Sequence, residues 1–298
     1  MKPPRFDYYD PQTVAEVLAL LQEHGDDAKL LAGGQSLIPV LNMRLAKPKV
    51  LIDLNRVENL SYMRLEDEVL AIGAMTRHAA LERSPLIGQY QPLLRDAERH
   101  IGHVQIRNRG TVGGSLAHAD PASELPAVMV ALGATMRIAG PSGHRDVAAE
   151  DFFLMYFTTC MQPDEMLVEI RVPIMPARSG HAFEELARRH GDFALAGVAC
   201  LLTLSKEGTV ADCRLGLVGL GMTPVRAHAA ETVLKGKLPS PELLREAAST
   251  VRTEIIPEDD VHATGEYRKE LAGVLTERAL VNALARIFGT DAQRGVQA

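Results

Sequence analysis

Two short phrases constrain this chain more tightly than anything in its composition. KLLAGGQSL occupies residues 29–37, and about eighty residues later RGTVGGSL occupies 109–116. Each has an apolar or β-branched lead-in and a Gly-Gly pair, with Ser and Leu following directly or one residue on. Glycine allows positive φ and lets backbone N–H groups come close to a ligand. Successive N–H groups in such a turn make a nest for anions. Gln35, Ser36, Thr111 and Ser115 add side-chain donors. Either phrase alone is equally well a bend that turns a strand into a helix. Together, Gly33–Gly34 and Gly113–Gly114 point to a ligand with two linked phosphates. Neither pair leads into the Gly-Lys-Ser/Thr of a nucleotide-hydrolysing loop, and no G-x-G-x-x-G marks a Rossmann dinucleotide site.

The first phrase lies in a strand–helix alternation that predicts a small α/β unit. Pro11 and a capping Thr13 precede a helix whose Val14, Val17, Leu18 and Leu21 share a face, and Gly25 ends it. AKLLAGG and KVLIDLNRV read as strands. From Asn59 onward the pattern predicts short strands: EVLAIGAMT, then a hairpin around GPSGH after the second glycine pair, then EMLVEIRVPIMP. Pro173, Pro176 and Gly180 mark a boundary. Beyond it, two or three antiparallel strands surround a KEGT turn, and the remainder is helical. Tyr267, Leu271, Val274, Leu275, Leu280, Leu284 and Phe288 are spaced as the apolar face of the closing helix.

Composition excludes several classes. The net charge of −6 argues against general nucleic-acid binding. Cys160, Cys200 and Cys213 lack metal-ligand spacing, so this chain alone builds neither a zinc site nor an iron–sulfur cluster. They read as reduced thiols of a cytoplasmic protein, Cys160 buried. No run reaches the ~18–20 apolar residues of a membrane span, and the N-terminus has no signal-like apolar stretch. His118 and Asp120 lack a third metal ligand, and Ser36 and Ser115 lack a nucleophile elbow. Met155, Met161 and Met166 read as core fillers. In RHIGHVQIRNR, at least half of the charges at Arg99, His100, His103, Arg107 and Arg109 read as solvated surface, with docking of an acidic partner as the alternative.

AGGQSLIPVLNMRLAKP, LIDLNRV, IRNRGTVGGSLAHADPASELP, ARRHGDFALAGVA and GEYRKELAGVLTERAL resemble the flavin-binding medium subunit of molybdenum hydroxylases, the carbon monoxide dehydrogenase and xanthine dehydrogenase family. The resemblance covers almost the whole chain. It implies an α+β, two-lobed FAD-binding fold of the vanillyl-alcohol oxidase/PCMH type over 1–176. A small α/β lobe would span about 1–57 and a mostly antiparallel lobe 58–176. A short antiparallel sheet plus helices would follow over 177–298.

The ligand with two phosphates would then be FAD. Leu31, Ala32, Gly33, Gly34, Gln35, Ser36 and Leu37 would meet its pyrophosphate from one side. Thr111, Gly113, Gly114 and Ser115 would meet it and the ribityl chain from the other. Asp120 would accept near the ribityl hydroxyls, and Glu124 stands where relatives carry a flavin-side Asp. Leu167 matches an apolar position near the cofactor, and Phe193 an aromatic one near the isoalloxazine. Relatives often have Lys near Glu184 and Glu185. No acid–base catalytic residue is implied. The family pattern places [2Fe–2S] clusters in a small partner subunit and a molybdenum–pterin centre in a large one, in dimers of heterotrimers. This chain's FAD would pass electrons to an external acceptor. A self-contained flavin reductase, similar to the one acting on UDP-N-acetylenolpyruvoylglucosamine, is the alternative. Its glycine turn, however, is usually followed by Gln-Asn and an Ala-Tyr-Gly phrase, not by SLAHADPASELP.

Overall fold

The computed structural model describes residues 2–294. Its first helix begins where the sequence calls for a cap. The Thr13 side chain accepts from Glu16 N, and Glu16 returns a bond to the Thr13 backbone, a reciprocal capping box. In this lobe β1 (Asp7–Tyr9), α1 (Val14–His24), β2 (Ala28–Leu31), α2 (Leu37–Asn42) and β3 (Val50–Asp53) form a three-stranded parallel sheet in the order β1-β3-β2. α1 covers the sheet with Val17 and Leu21.

The second lobe is an antiparallel sheet, β4-β5-β10-β6-β7, from β4 (Met63–Glu66), β5 (Val69–Gly73), β6 (Thr135–Gly140), β7 (Gly143–Ala148) and β10 (Met166–Pro173). Between β5 and β6 the short-strand expectation fails. Six helices stand there: α3 (His78–Arg83), α4 (Pro85–Tyr90), α5 (Pro92–Glu98), α6 (Val104–Arg107), α7 (Val112–His118) and α8 (Glu124–Leu132). They are four to nine residues long, and α8 is buried at every position, so no single-face periodicity exists to be read. α9 (Ala149–Phe152) and a hairpin, β8 (Phe153–Met155) with β9 (Thr158–Thr159), precede β10. Met166 fills the core as expected, but Met155 stands exposed on that hairpin. Cys160 is only half-buried, beside the Arg145 guanidinium.

The C-terminal sheet runs β11-β12-β13-β14, from β11 (Ser179–Ala187), β12 (Ala194–Leu204), β13 (Val210–Val218) and β14 (Val225–Arg226), all antiparallel. The helices α10 (His228–Leu234), α11 (Pro241–Glu254) and α12 (Gly265–Arg294) follow. The buried face of α12 is Ala272, Leu275, Ala279, Leu280, Ala283 and Ile287. Tyr267, Val274 and Phe288 of the expected face point outward. Small residues decide this, because α12 comes close enough to β11 for the Ala283 carbonyl to rest against Gly180.

α8 explains how the sheets join. It lies between the second-lobe sheet and the C-terminal sheet, and one apolar cluster runs from Ile72 and Ile170 through Leu125 and Val128 to Ala199 and Val218. A side chain at Gly216 would run into the Ala127 carbonyl of α8. Of the RHIGHVQIRNR charges, Arg107 is buried; it pairs with Glu82 at 2.9 Å and donates to the Ile101 and Gly102 carbonyls. Among the described residues no helix is long and apolar enough to cross a membrane. Gly216→Ala should force α8 off β13 and cost about 1–3 kcal/mol of unfolding free energy. Urea denaturation of the full chain checks this; an unchanged midpoint would show that the contact yields freely.

Candidate cofactor cleft

The two glycine phrases, eighty residues apart in sequence, touch. Gly33 leaves β2 and lies against the Arg109 carbonyl and the Gly110 Cα, the latter 2.6 Å from where a Cβ would stand. Gly114 faces Ala32, whose Cβ would be 3.4 Å from its own. No side chain fits between the loops, so any ligand held by one meets the other.

They differ in what they offer. Gly34 has φ +72°, which an L side chain adopts only with strain. Among the described residues no hydrogen bond engages the backbone N–H of Gly34, Gln35, Ser36 or Leu37. That is an anion nest with its donors available. The Gln35 side chain is not one of them, since it turns back to the Gly33 carbonyl at 3.1 Å.

The second phrase departs from expectation. Gly113 and Gly114 have ordinary φ and open α7. The four amides of its Gly-Gly turn are engaged: Val112 to Thr76 O, Gly113 to Ala74 O, Gly114 to Thr111 Oγ1 and Ser115 to Thr111 O, at 2.8–3.1 Å. Its glycines serve close approach, for a Cβ on Gly113 would lie 2.5 Å from that of Ala74. Thr111 is a buried N-cap, and the half-buried Ser115 side chain adds a hydroxyl beside it.

A chain of polar contacts stitches the two loops and was not read in the sequence. Asn55 donates from its amide to the Ala32 carbonyl at 3.0 Å and accepts from Arg77. Arg77 also donates to the Arg109 carbonyl. Burial, then the charge of Arg109, lowers the Arg77 pKa. Asp53, which binds Tyr8 Oη at 2.6 Å and Asn55 N at 2.9 Å, orients Asn55. Burial opposes its ionisation, but those hydrogen bonds and Arg109 outweigh it and hold the carboxyl below its usual range. LIDLNRV carried a signal in its polar DxN within apolar residues; the lone Arg77 carried none.

At about 1.5 Å per residue, the seven residues of α7 separate the glycine end from a second group by about 10 Å. Asp120 is half-buried and accepts from Ala122 N at 2.9 Å. Its loop is pinned by Phe157 N to Ala119 O and by Gly219 N to Pro121 O. Glu124 opens α8, buried, and burial followed by the charge of Glu185 pushes its carboxyl up to about 8. Alternation along β11 separates Glu184 from Glu185. Glu184 accepts from Asn282 of α12 at 2.7 Å, whereas Glu185 turns inward, 3.8 Å from His100 Nδ1.

Leu167 is buried at a bulge in β10, where the Val168 carbonyl holds Ala74 N and Ala74 in turn holds Gly113. Phe193, 62% exposed, stands ahead of β12 on a loop packed against residues 102–103 through Gly191. The cradle a Cβ would fill and the open amides fit a stretched dinucleotide. A groove of about 430 Å³ lined by Tyr62, Arg137 and Glu169 shares no residue with either glycine loop.

Comparison with known proteins agrees with this geometry. A family model described as "FAD binding domain in molybdopterin dehydrogenase" matches residues 4–175, and "CO dehydrogenase flavoprotein C-terminal domain" matches 181–283. The chain is 43% identical to the 6-hydroxypseudooxynicotine dehydrogenase complex subunit alpha of Paenarthrobacter nicotinovorans, covering 96% of this chain and 97% of that one. It is 40% identical to the caffeine dehydrogenase subunit beta of a Pseudomonas strain, over 99% and 100%. A solved carbon monoxide dehydrogenase from Hydrogenophaga pseudoflava superposes with a TM-score of 0.94 at 42% identity, over 96% of this chain and 99% of that one. The chain belongs to the FAD-binding flavoprotein subunits of the molybdopterin dehydrogenases, a family of oxidoreductases.

Proposed function

We propose that this chain is the electron-transfer flavoprotein of a cytoplasmic, multi-subunit molybdenum hydroxylase. Electrons would come from [2Fe–2S] clusters in a small partner, fed by a molybdenum–pterin centre in a large one, and leave to an external acceptor. The three chains would form a heterotrimer that pairs with a second copy. The observation that carries this reading is the meeting of the two glycine loops with the Gly34–Leu37 amides open, in a chain with only three cysteines, Cys160, Cys200 and Cys213, all free thiols. Three cysteines are too few for a cluster held by four thiolates, which supports electrons arriving from another polypeptide.

In this reading the chain divides at 176, with lobes at about 1–57 and 58–176 and a second domain over 177–298. Leu31 to Leu37 hold the pyrophosphate by backbone donors. Thr111, Gly113, Gly114 and Ser115 close the other side by shape and by the Ser115 hydroxyl. Asp120 accepts from the ribityl chain, Leu167 backs the cleft and Phe193 covers one face of the ring. Bound FAD supplies the exchange between single-electron and two-electron carriers. The relatives are named for 6-hydroxypseudooxynicotine, caffeine and carbon monoxide while remaining about 40% identical to this chain. Such dissimilar substrates on one scaffold support a substrate chosen in another subunit.

Capture of the tagged chain from its native host tests the assignment. A flavin band under iron–sulfur absorption, with two further subunits, is expected. Flavin on a lone chain would overturn the electron-transfer role. Gly33→Ala should push the Arg109–Gly110 loop off the first lobe and cut FAD content at least tenfold, read from flavin absorbance, with the circular dichroism spectrum retained. Phe193→Ala should leave the unfolding midpoint unchanged, because the ring is exposed, and shift the flavin spectrum or midpoint potential. No shift in either would remove Phe193 from the site.

A further inference from the structure

Two buried ionisable side chains lie against the second glycine phrase, and the function proposed above uses neither. His78 opens α3 and is 3% exposed, and Glu98 closes α5 and is fully buried. The His78 Nδ1 stands 3.1 Å from Glu98 Oε2 and 3.3 Å from Oε1. Among the described residues no other group bonds the Glu98 carboxyl. A carboxylate in the last turn of a helix also meets the negative end of the macrodipole. Taken out of water there, Glu98 needs a donor on its oxygens, and His78 supplies it. The pair therefore fixes the orientation of the imidazole.

The far edge of that ring bears on Gly110. A Cβ at Gly110 would lie 2.7 Å from His78 Cδ2 and 3.3 Å from Nε2, so a side chain there would displace either the ring or the loop. The backbone adds a second tie, since His78 N donates to the Gly110 carbonyl at 3.2 Å. The neighbouring Arg77 donates to the Arg109 carbonyl and pairs with Thr111 in an isolated β-bridge. Gly110 is also the residue whose Cα lies 2.6 Å from where a Cβ of Gly33 would stand. Contacts thus run without a break from Glu98 to His78, to Gly110, and to Gly33 beside the open amides.

We propose that His78 is a positioning residue for the dinucleotide. Its ring, held by Glu98, seats Gly110 against Gly33 and so sets the separation between the Gly34–Leu37 amides and the entry of α7. A planar group locked by a hydrogen bond holds a backbone to a closer tolerance than a freely turning aliphatic chain of the same bulk. The support of Gly110 is independent of FAD; only its consequence for the cofactor rests on the function proposed above.

Two readouts on the full chain test this: FAD per chain in protein captured from the native host, and hydrogen exchange at the Gly110 amide, which donates to the Ile106 carbonyl at 2.7 Å. The double variant His78→Ala/Glu98→Met removes the ring without leaving a buried charge unpaired. Its FAD content should fall at least tenfold, and exchange at Gly110 in the flavin-free chain should rise at least tenfold. Leu234→Ala, in the separate C-terminal core, shows what lost stability alone does to both. Equal losses in that control would mean that His78 acts only through stability and would overturn the proposal. Wild-type exchange at Gly110 in the double variant would overturn it as well. Should the double variant fail to fold, Gly110→Ala decides. Its Cβ meets the ring, so FAD content should again fall tenfold, and full retention would show that the ring yields and positions nothing. Raised exchange at Gly110 beside a wild type that never carries FAD would refute the flavoprotein reading and leave the support of Gly110 by His78 standing.

Discussion

The close approach of Gly33 to the Arg109–Gly110 backbone is the contact on which the cleft depends. Two lobes with separate cores meet there without a side chain between them. The open amides of Gly34–Leu37 follow directly on that contact. Around that contact the Asp53–Asn55–Arg77 chain works as a polar stitch, tying β3 to the loop after β5 and to the entry of α7. Its hydrogen bonds to the Ala32 and Arg109 carbonyls leave the cradle amides untouched. The two loops thus differ, the first with open backbone donors and the second close-packed with its turn amides engaged.

α8 is the second determinant. An all-round buried helix has no solvent face, so it must be sandwiched, and here the second-lobe sheet and the C-terminal sheet supply its two sides.

The first lobe was legible in the sequence because its signals are local. The Thr13 cap, the Val17/Leu21 stripe and the Gly25 stop each act within a few residues. The C-terminal hairpin around the KEGT turn was legible for the same reason. The six helices between β5 and β6 were not, being too short or too uniformly apolar to show a period. Nor was the face of α12, where Ala283 against Gly180 outranks the larger Val274 and Phe288. Helix packing rewards the residues that allow the closest approach, and hydrophobicity alone does not reveal which those are.

At the site the division is similar. The sequence by itself predicted a ligand with two linked phosphates from its two Gly-Gly phrases, and its resemblance named FAD and the family, which the comparisons bear out. The tertiary structure decided that the Gly34–Leu37 amides stay open while those of Val112–Ser115 do not, since the partners of Val112, Gly113 and Gly114 lie on other segments or in the cap. It also decided that Arg77 stitches the loops and that Glu185, not Glu184, turns inward toward His100. The physical reason is common to all three. A residue type fixes what a group can donate, accept or carry, but long-range packing decides whether a partner within the chain has already met that capacity.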